Sequence, residues 1–78
     1  MAVMIKLRLP ESTRDFASVQ ALPGLADLNL DSEVGLVPIS PSDSQYAVYT
    51  DHVDDLERRR HLSPEIIQAY GDIRISST

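Results

Sequence analysis

Cysteine is absent from the 78-residue chain, so neither a disulfide framework nor a thiolate metal site can reinforce its fold. A chain this short buries only about 60–65% of its unfolded surface around one core, which excludes a multidomain enzyme. Such a core supplies about 3–5 kcal/mol unless a partner contributes, so association is worth considering from the start. Basic residues are scarce as well: seven Lys and Arg against twelve Asp and Glu give a formal charge of −5. That is the wrong sign for a phosphate-neutralising surface, and nucleic acid is not an expected partner. No apolar run approaches the roughly 20 residues of a membrane-spanning helix. Met1 to Leu9 carries Lys6 and Arg8 inside its apolar run, unlike a secretory signal with its basic start, apolar middle and small-residue end. These absences predict a cytoplasmic protein with no membrane partner.

What is present, 42% hydrophobic and 24% charged residues with three Gly and five Pro, fits a single globular domain over residues 1–78. Val3, Ile5, Leu7 and Leu9 alternate with Met4, Lys6 and Arg8, the period-2 pattern of a strand with one buried face. After Pro10, Ser12 or Thr13 is placed to cap a helix beginning near Arg14, whose apolar face is Phe16, Val19 and Leu22 and which Pro23-Gly24 ends. Leu25, Leu28 and Leu30 then fit either another helical turn under the sheet or an irregular crossover. Glu33 to Ser40 reads as a second strand, with Gly35 and Pro38 favouring an edge position.

Pro41-Ser42-Asp43-Ser44 is a turn by composition, and Tyr46 to Thr50 alternates as a third strand, so the two strands should form an antiparallel hairpin. Asp51 is expected to cap a second helix running to Arg60, with Val53 and Leu56 inward and the pairs Asp54/Arg58 and Asp55/Arg59 outward. Ser63-Pro64-Glu65 restarts the chain as a helical turn through Ile66 and Ile67 that Gly71 ends. Ile73 and Ile75, alternating with Asp72, Arg74 and Ser76, make the fourth strand. This order predicts an α+β fold: a ferredoxin-like βαββαβ sandwich with a four-stranded antiparallel sheet and both helices on one face. Lys6, Arg8 and Arg74 would then project from the helix-free face beside Met4 and one of the two strand tyrosines, Tyr49.

Motifs that name a reaction are missing. His52 and His61 occur without an HExxH or EF-hand pattern, and a solvated helix start explains His52 and its aspartate neighbours, so no metal and no cofactor are predicted. No serine sits in a GxSxG elbow, and the acids are spread over loops and helix surfaces, so no catalytic residue is assigned. A minor enzyme subunit using His52 with Asp55 would require activity to depend on His52. Arg58-Arg59-Arg60 has a local explanation in the helix dipole and the preceding acids, which outweighs a phosphate or acidic-partner patch.

The second half of the chain carries a more specific pattern. The strand Tyr46-Ala47-Val48-Tyr49, the helix from Asp51 to Arg60 rich in acids and Arg, the break Ser63-Pro64-Glu65-Ile66-Ile67 and a final alternating strand are similar to the inhibitor-type propeptides of subtilisin-like serine proteases. The family's glycine-aromatic element is replaced here by Ser44-Gln45-Tyr46, and Asp72 and Arg74 stand where its last strand has apolar or small residues. The resemblance implies a ferredoxin-like sandwich whose helix-free face lies on the protease and whose tail, here Ile75-Ser76-Ser77-Thr78, enters the substrate cleft as a product-like strand. It implies a separate inhibitor or folding assistant.

The expected function is therefore a small non-enzymatic protein-binding module, in its most specific form a protease inhibitor or propeptide-like chaperone. Its partner-binding residues are Met4, Lys6, Arg8, Tyr49, Arg74, Ile75, Ser76, Ser77 and Thr78. The second reading is a ferredoxin-like regulatory or oligomerisation domain that binds a small molecule or pairs subunits as a homodimer.

Overall fold

In the computed structural model, which describes residues 3–71, the first strand β1 runs Val3–Arg8. Its period-2 pattern sorts the side chains as alternation requires: Val3, Ile5 and Leu7 are buried, Met4 and Lys6 are half-buried, and Arg8 is exposed. The remaining elements are α1 (Phe16–Gln20), β2 (Val37–Ser40), β3 (Gln45–Thr50), α2 (Leu56–Leu62) and β4 (Ile66–Tyr70). The four strands make one sheet in the order β2-β3-β1-β4, and every neighbouring pair is antiparallel. The fold is thus α+β, with a four-stranded antiparallel sheet and two helices. The expected hairpin is present: Pro41–Asp43 forms a 3-10 turn and Ser44 takes a left-handed φ of 61° to start β3.

One sheet face holds the core. Val3, Ile5 and Leu7 from β1, Val48 from β3, and Ile66 and Ala69 from β4 pack with Leu9, Val19, Leu25, Leu30 and Val53 from the segments above them. Phe16, Leu22 and Leu56 add partly buried surface from α1, its following turn and α2. The helices and the connection between α1 and β2 therefore cover the same face. Gly24 shows how tightly. A Cβ on it would lie 2.5 Å from the Arg59 carbonyl oxygen and 3.1 Å from both Ser63 Cβ and Ile66 Cδ1.

Four sequence expectations are corrected. The first helix does not begin at Arg14 under a Ser12 or Thr13 cap. Asp15 caps it by accepting the Ser18 N–H at 3.2 Å, because the Arg14 guanidinium is engaged by the Leu9 carbonyl and Ser44 Oγ. The apolar spacing at Leu25 and Leu28 belongs to successive turns, in which the Leu25 N–H donates to the Leu22 carbonyl and the Leu28 N–H to that of Leu25. The irregular crossover is the correct alternative, and β2 starts only at Val37, after Gly35 at φ 70°.

The second helix does not start at Asp51. Val53 is drawn into the core and the Asp54 carbonyl accepts Arg59 Nε, so the helix begins after Asp55. Finally, Ile66 onward is strand, not a helical turn. The Ser63 hydroxyl that was expected to cap that turn instead accepts the Gly24 N–H at 2.8 Å. The fourth strand is therefore Ile66–Tyr70, and the strand expected at Ile73 and Ile75 lies outside the described residues.

Candidate functional site

The sheet face opposite the core, uncovered among the described residues, is built by register. Antiparallel partners share a face, so the pairs Met4↔Tyr49 and Met4↔Tyr70 line up Tyr49, Met4 and Tyr70 as one row across β3, β1 and β4. With neighbouring strands about 4.8 Å apart, the row spans roughly 10 Å. Met4 and Tyr49 are half-buried, and Tyr70 is 48% exposed. The next row comprises Gln68, Lys6, Ala47 and Val37, followed by Arg8 opposite Gln45. Ala47 is fully buried despite lying on this face, because its small side chain sits between Lys6 and Val37. The phenol of Tyr46 lies on the opposite face, where the Arg14 guanidinium carbon stands 5.5 Å from its ring centre.

Of the residues predicted to bind a partner, Met4, Lys6, Arg8 and Tyr49 lie together on this face, while Arg74, Ile75, Ser76, Ser77 and Thr78 lie outside the described residues. Sequence reading missed Tyr70 and Gln68. Their alternation is hidden by Ile67, the extra residue where the β1–β4 register shifts from Lys6↔Gln68 to Leu7↔Ile66. A comparable shift on β2 leaves Ile39 unpaired and 42% exposed, next to Pro38. Both edge strands are therefore interrupted, which blunts them against pairing with another strand.

Charge is distributed unevenly. None of the four strands contains Asp or Glu, and their only charged residues are Lys6 and Arg8, both on the uncovered face. Among the described residues neither has a carboxylate within 4 Å. Acids instead border the face. Asp31, Glu33 and Asp51 line a depression beside Tyr49, and Glu65 shares an open depression of about 480 Å³ with Arg8, Leu9, Pro10, Ser44 and Pro64.

The arginine run resolves into three different residues. Arg58 and Arg60 are exposed, whereas Arg59 is only 8% exposed and uses all five of its guanidinium N–H groups. Nε donates to the Asp54 carbonyl at 2.7 Å. One terminal nitrogen donates to the Gly24 carbonyl at 3.0 Å and Asp27 Oδ1 at 2.6 Å, the other to Asp27 Oδ2 at 3.0 Å and Asp54 Oδ1 at 2.7 Å. These bonds hold the Asp27 and Asp54 carboxyls below the ordinary aspartate range and raise the Arg59 guanidinium. The cluster ties α2 to the α1–β2 connection, a structural role that leaves no donor over for a ligand. The expected pair Asp55/Arg59 is absent, its place taken by Asp27 and Asp54. His52 and His61 are exposed, and no group of three or more His, Asp or Glu side chains suited to a metal occurs among the described residues. No described helix is long and apolar enough to cross a membrane.

No protein-family model matches the chain, and no curated protein or solved structure is measurably similar to it. The chemistry of its surface must therefore carry the functional reading.

Proposed function

We propose that this chain is a small non-enzymatic protein-binding module that docks through the uncovered face of a ferredoxin-like sheet. The observation that carries the reading is the row Tyr49–Met4–Tyr70, three large side chains held in register on a face that no described helix covers. Aromatic residues and Met are enriched where proteins meet, because they bring large contact area at modest entropic cost. The ferredoxin-like assignment is supported by the strand order β2-β3-β1-β4 and by helices between β1 and β2 and between β3 and β4. The interrupted edges favour use of the face over strand addition.

The most specific form of this reading is inhibition or folding assistance of a subtilisin-like protease, with residues 75–78 entering the substrate cleft. It is tested by titrating the full chain into a subtilisin-like protease with a chromogenic peptide substrate. Inhibition that disappears when residues 75–78 are deleted supports it. An intact chain that leaves the protease fully active at micromolar concentration removes the protease from the proposal, while the docking face stands or falls by substitution of Tyr49 and Tyr70.

A further inference from the structure

Resting on that reading of the uncovered face, we infer that its partner is an acidic protein segment that lies extended along β1, with an apolar anchor on the tyrosine row and carboxylates over Lys6 and Arg8. The two cations belong to a chain of net charge −5 and are the only charges in the four described strands. No described carboxylate neutralises them within 4 Å, so a partner that brings carboxylates gains their attraction without displacing an internal ion pair. Met4, Lys6 and Arg8 follow one another at every second residue of β1, so their side chains emerge about 7 Å apart. An extended segment aligned with β1 has the same repeat. The matching chemistry is one large apolar residue followed by acids at the second and fourth positions after it.

The alternatives fit this charge map less well. A second copy of the chain presents the same two cations and meets like charge with like. A single-stranded nucleic acid could stack on the tyrosines, but its phosphates would then pass the acids Asp31, Glu33 and Asp51 that line the depression beside Tyr49. For an acidic segment that end of the face receives the uncharged anchor, and the carboxylates fall at the far end. Glu65 borders that far end, in the depression it shares with Arg8, and confines the acid-binding zone to the two cations on the strand itself.

The test is an amide-resonance titration of the full chain with a synthetic nine-residue peptide in which leucine is followed at alternate positions by two glutamates. Matched peptides carry glutamine or lysine at those two positions, and a nine-nucleotide oligouridine serves as the nucleic-acid probe. Expected are shifts confined to β1, β3 and β4, affinity about tenfold weaker for the glutamine peptide, and salt-sensitive binding. A Lys6→Glu, Arg8→Glu double variant, checked for an unchanged circular dichroism spectrum, should lose the glutamate peptide and gain the lysine peptide. Equal affinity for glutamate and glutamine peptides at this face overturns the acidic partner but leaves protein docking intact. Oligouridine binding there in preference to every peptide overturns both, whereas self-association in light scattering with no response to any peptide overturns the acidic partner alone.

Discussion

Arg59 decides more about this small protein than any other single side chain. Its five hydrogen bonds join Gly24, Asp27 and Asp54, residues up to 35 positions away in sequence, and the cation is removed from water to make them. Breaking such an arrangement from one side strands the carbonyl of Gly24, which is itself buried. Arg59→Met keeps the length and apolar stem but removes every donor. It should cost about 2–4 kcal/mol, most of what a core of this size supplies, and be seen as loss of a cooperative thermal transition. Arg58→Met and Arg60→Met, on exposed neighbours, should stay within about 0.5 kcal/mol of the parent.

The same junction gives a second residue-scale expectation. Gly24 is required for close approach and not for an unusual φ, since an added methyl would collide with the Arg59 carbonyl at 2.5 Å. Gly24→Ala should therefore destabilise by about 2–3 kcal/mol in chemical denaturation, the cost of overpacking a contact that includes backbone. Ser63→Ala, which deprives the buried Gly24 N–H of its acceptor, should cost about 1–3 kcal/mol by the same measurement. Neither effect was legible in the sequence, where Gly24 reads as a helix stop and Ser63 as a cap. Both residue types are right for those local jobs, and only the long-range contact between them shows that they perform a different one.

At the scale of elements, what a strand's alternation can reveal was legible and what tertiary bonds impose was not. The first and third strands, the hairpin between β2 and β3 and the edge position of β2 follow from period-2 patterns and turn residues alone. The helix starts were missed by several residues because arginine side chains fix them, Arg14 at one helix and Arg59 at the other. The strand at Ile66–Tyr70 was missed because Ile67 interrupts its alternation. Met4, Lys6, Arg8 and Tyr49 were assigned correctly to one face, since that needed only parity along two strands.

The start of α2 carries an element-scale prediction. Asp55 precedes the helix at φ 53° and makes no capping bond through its side chain. A left-handed backbone costs a residue with a Cβ about 1 kcal/mol, which glycine avoids, though glycine loses more freedom on folding. Asp55→Gly should thus stabilise the protein modestly, by about 0.5 kcal/mol, and raise its Tm by about 2–4 °C. Asp55→Ala, which retains the strain, should give no such rise. The Asp55 side chain makes no bond to Arg59, and the backbone bond from the Arg59 N–H to the Asp55 carbonyl at 3.1 Å is kept by both substitutions, so the arginine cluster should be unaffected by either change.

For the whole molecule, acid loosens the tie between α2 and the α1–β2 connection. Asp27 and Asp54 have carboxyls whose pKa values in the folded state lie below the ordinary value, first through their hydrogen bonds to Arg59. Their contribution to stability is therefore fully present above the unfolded aspartate pKa near 4 and is lost as pH falls through the lower folded values. Denaturant midpoints should be insensitive to these groups between pH 7 and pH 5 and fall below about pH 4. Both carboxylates are largely exposed, so salt should weaken the contribution further. Asp27→Asn should lower the midpoint near neutrality, where the carboxylate's contribution is removed, and flatten the acid limb. A midpoint that instead falls from pH 7 toward pH 5 would point to a different titrating group.

Stability and binding should also separate in space. The core and the Arg59 cluster lie on the helix side of the sheet, whereas Tyr49, Met4 and Tyr70 lie on the other and take no part in the buried cluster. Tyr49→Thr and Tyr70→Thr preserve β propensity while removing the rings. Each loses only cross-strand contact with Met4, worth about 0.2–1 kcal/mol, so the double variant should remain folded with a slightly lower Tm. If the face is a docking surface, the same double variant should lose most of its affinity for a protein partner, measured on the protein whose binding the parent shows. A variant that unfolds would mean that the row is structural after all. A variant that stays folded and binds as the parent does would mean that the partner meets another part of the molecule, and that the tyrosine row takes no part in docking.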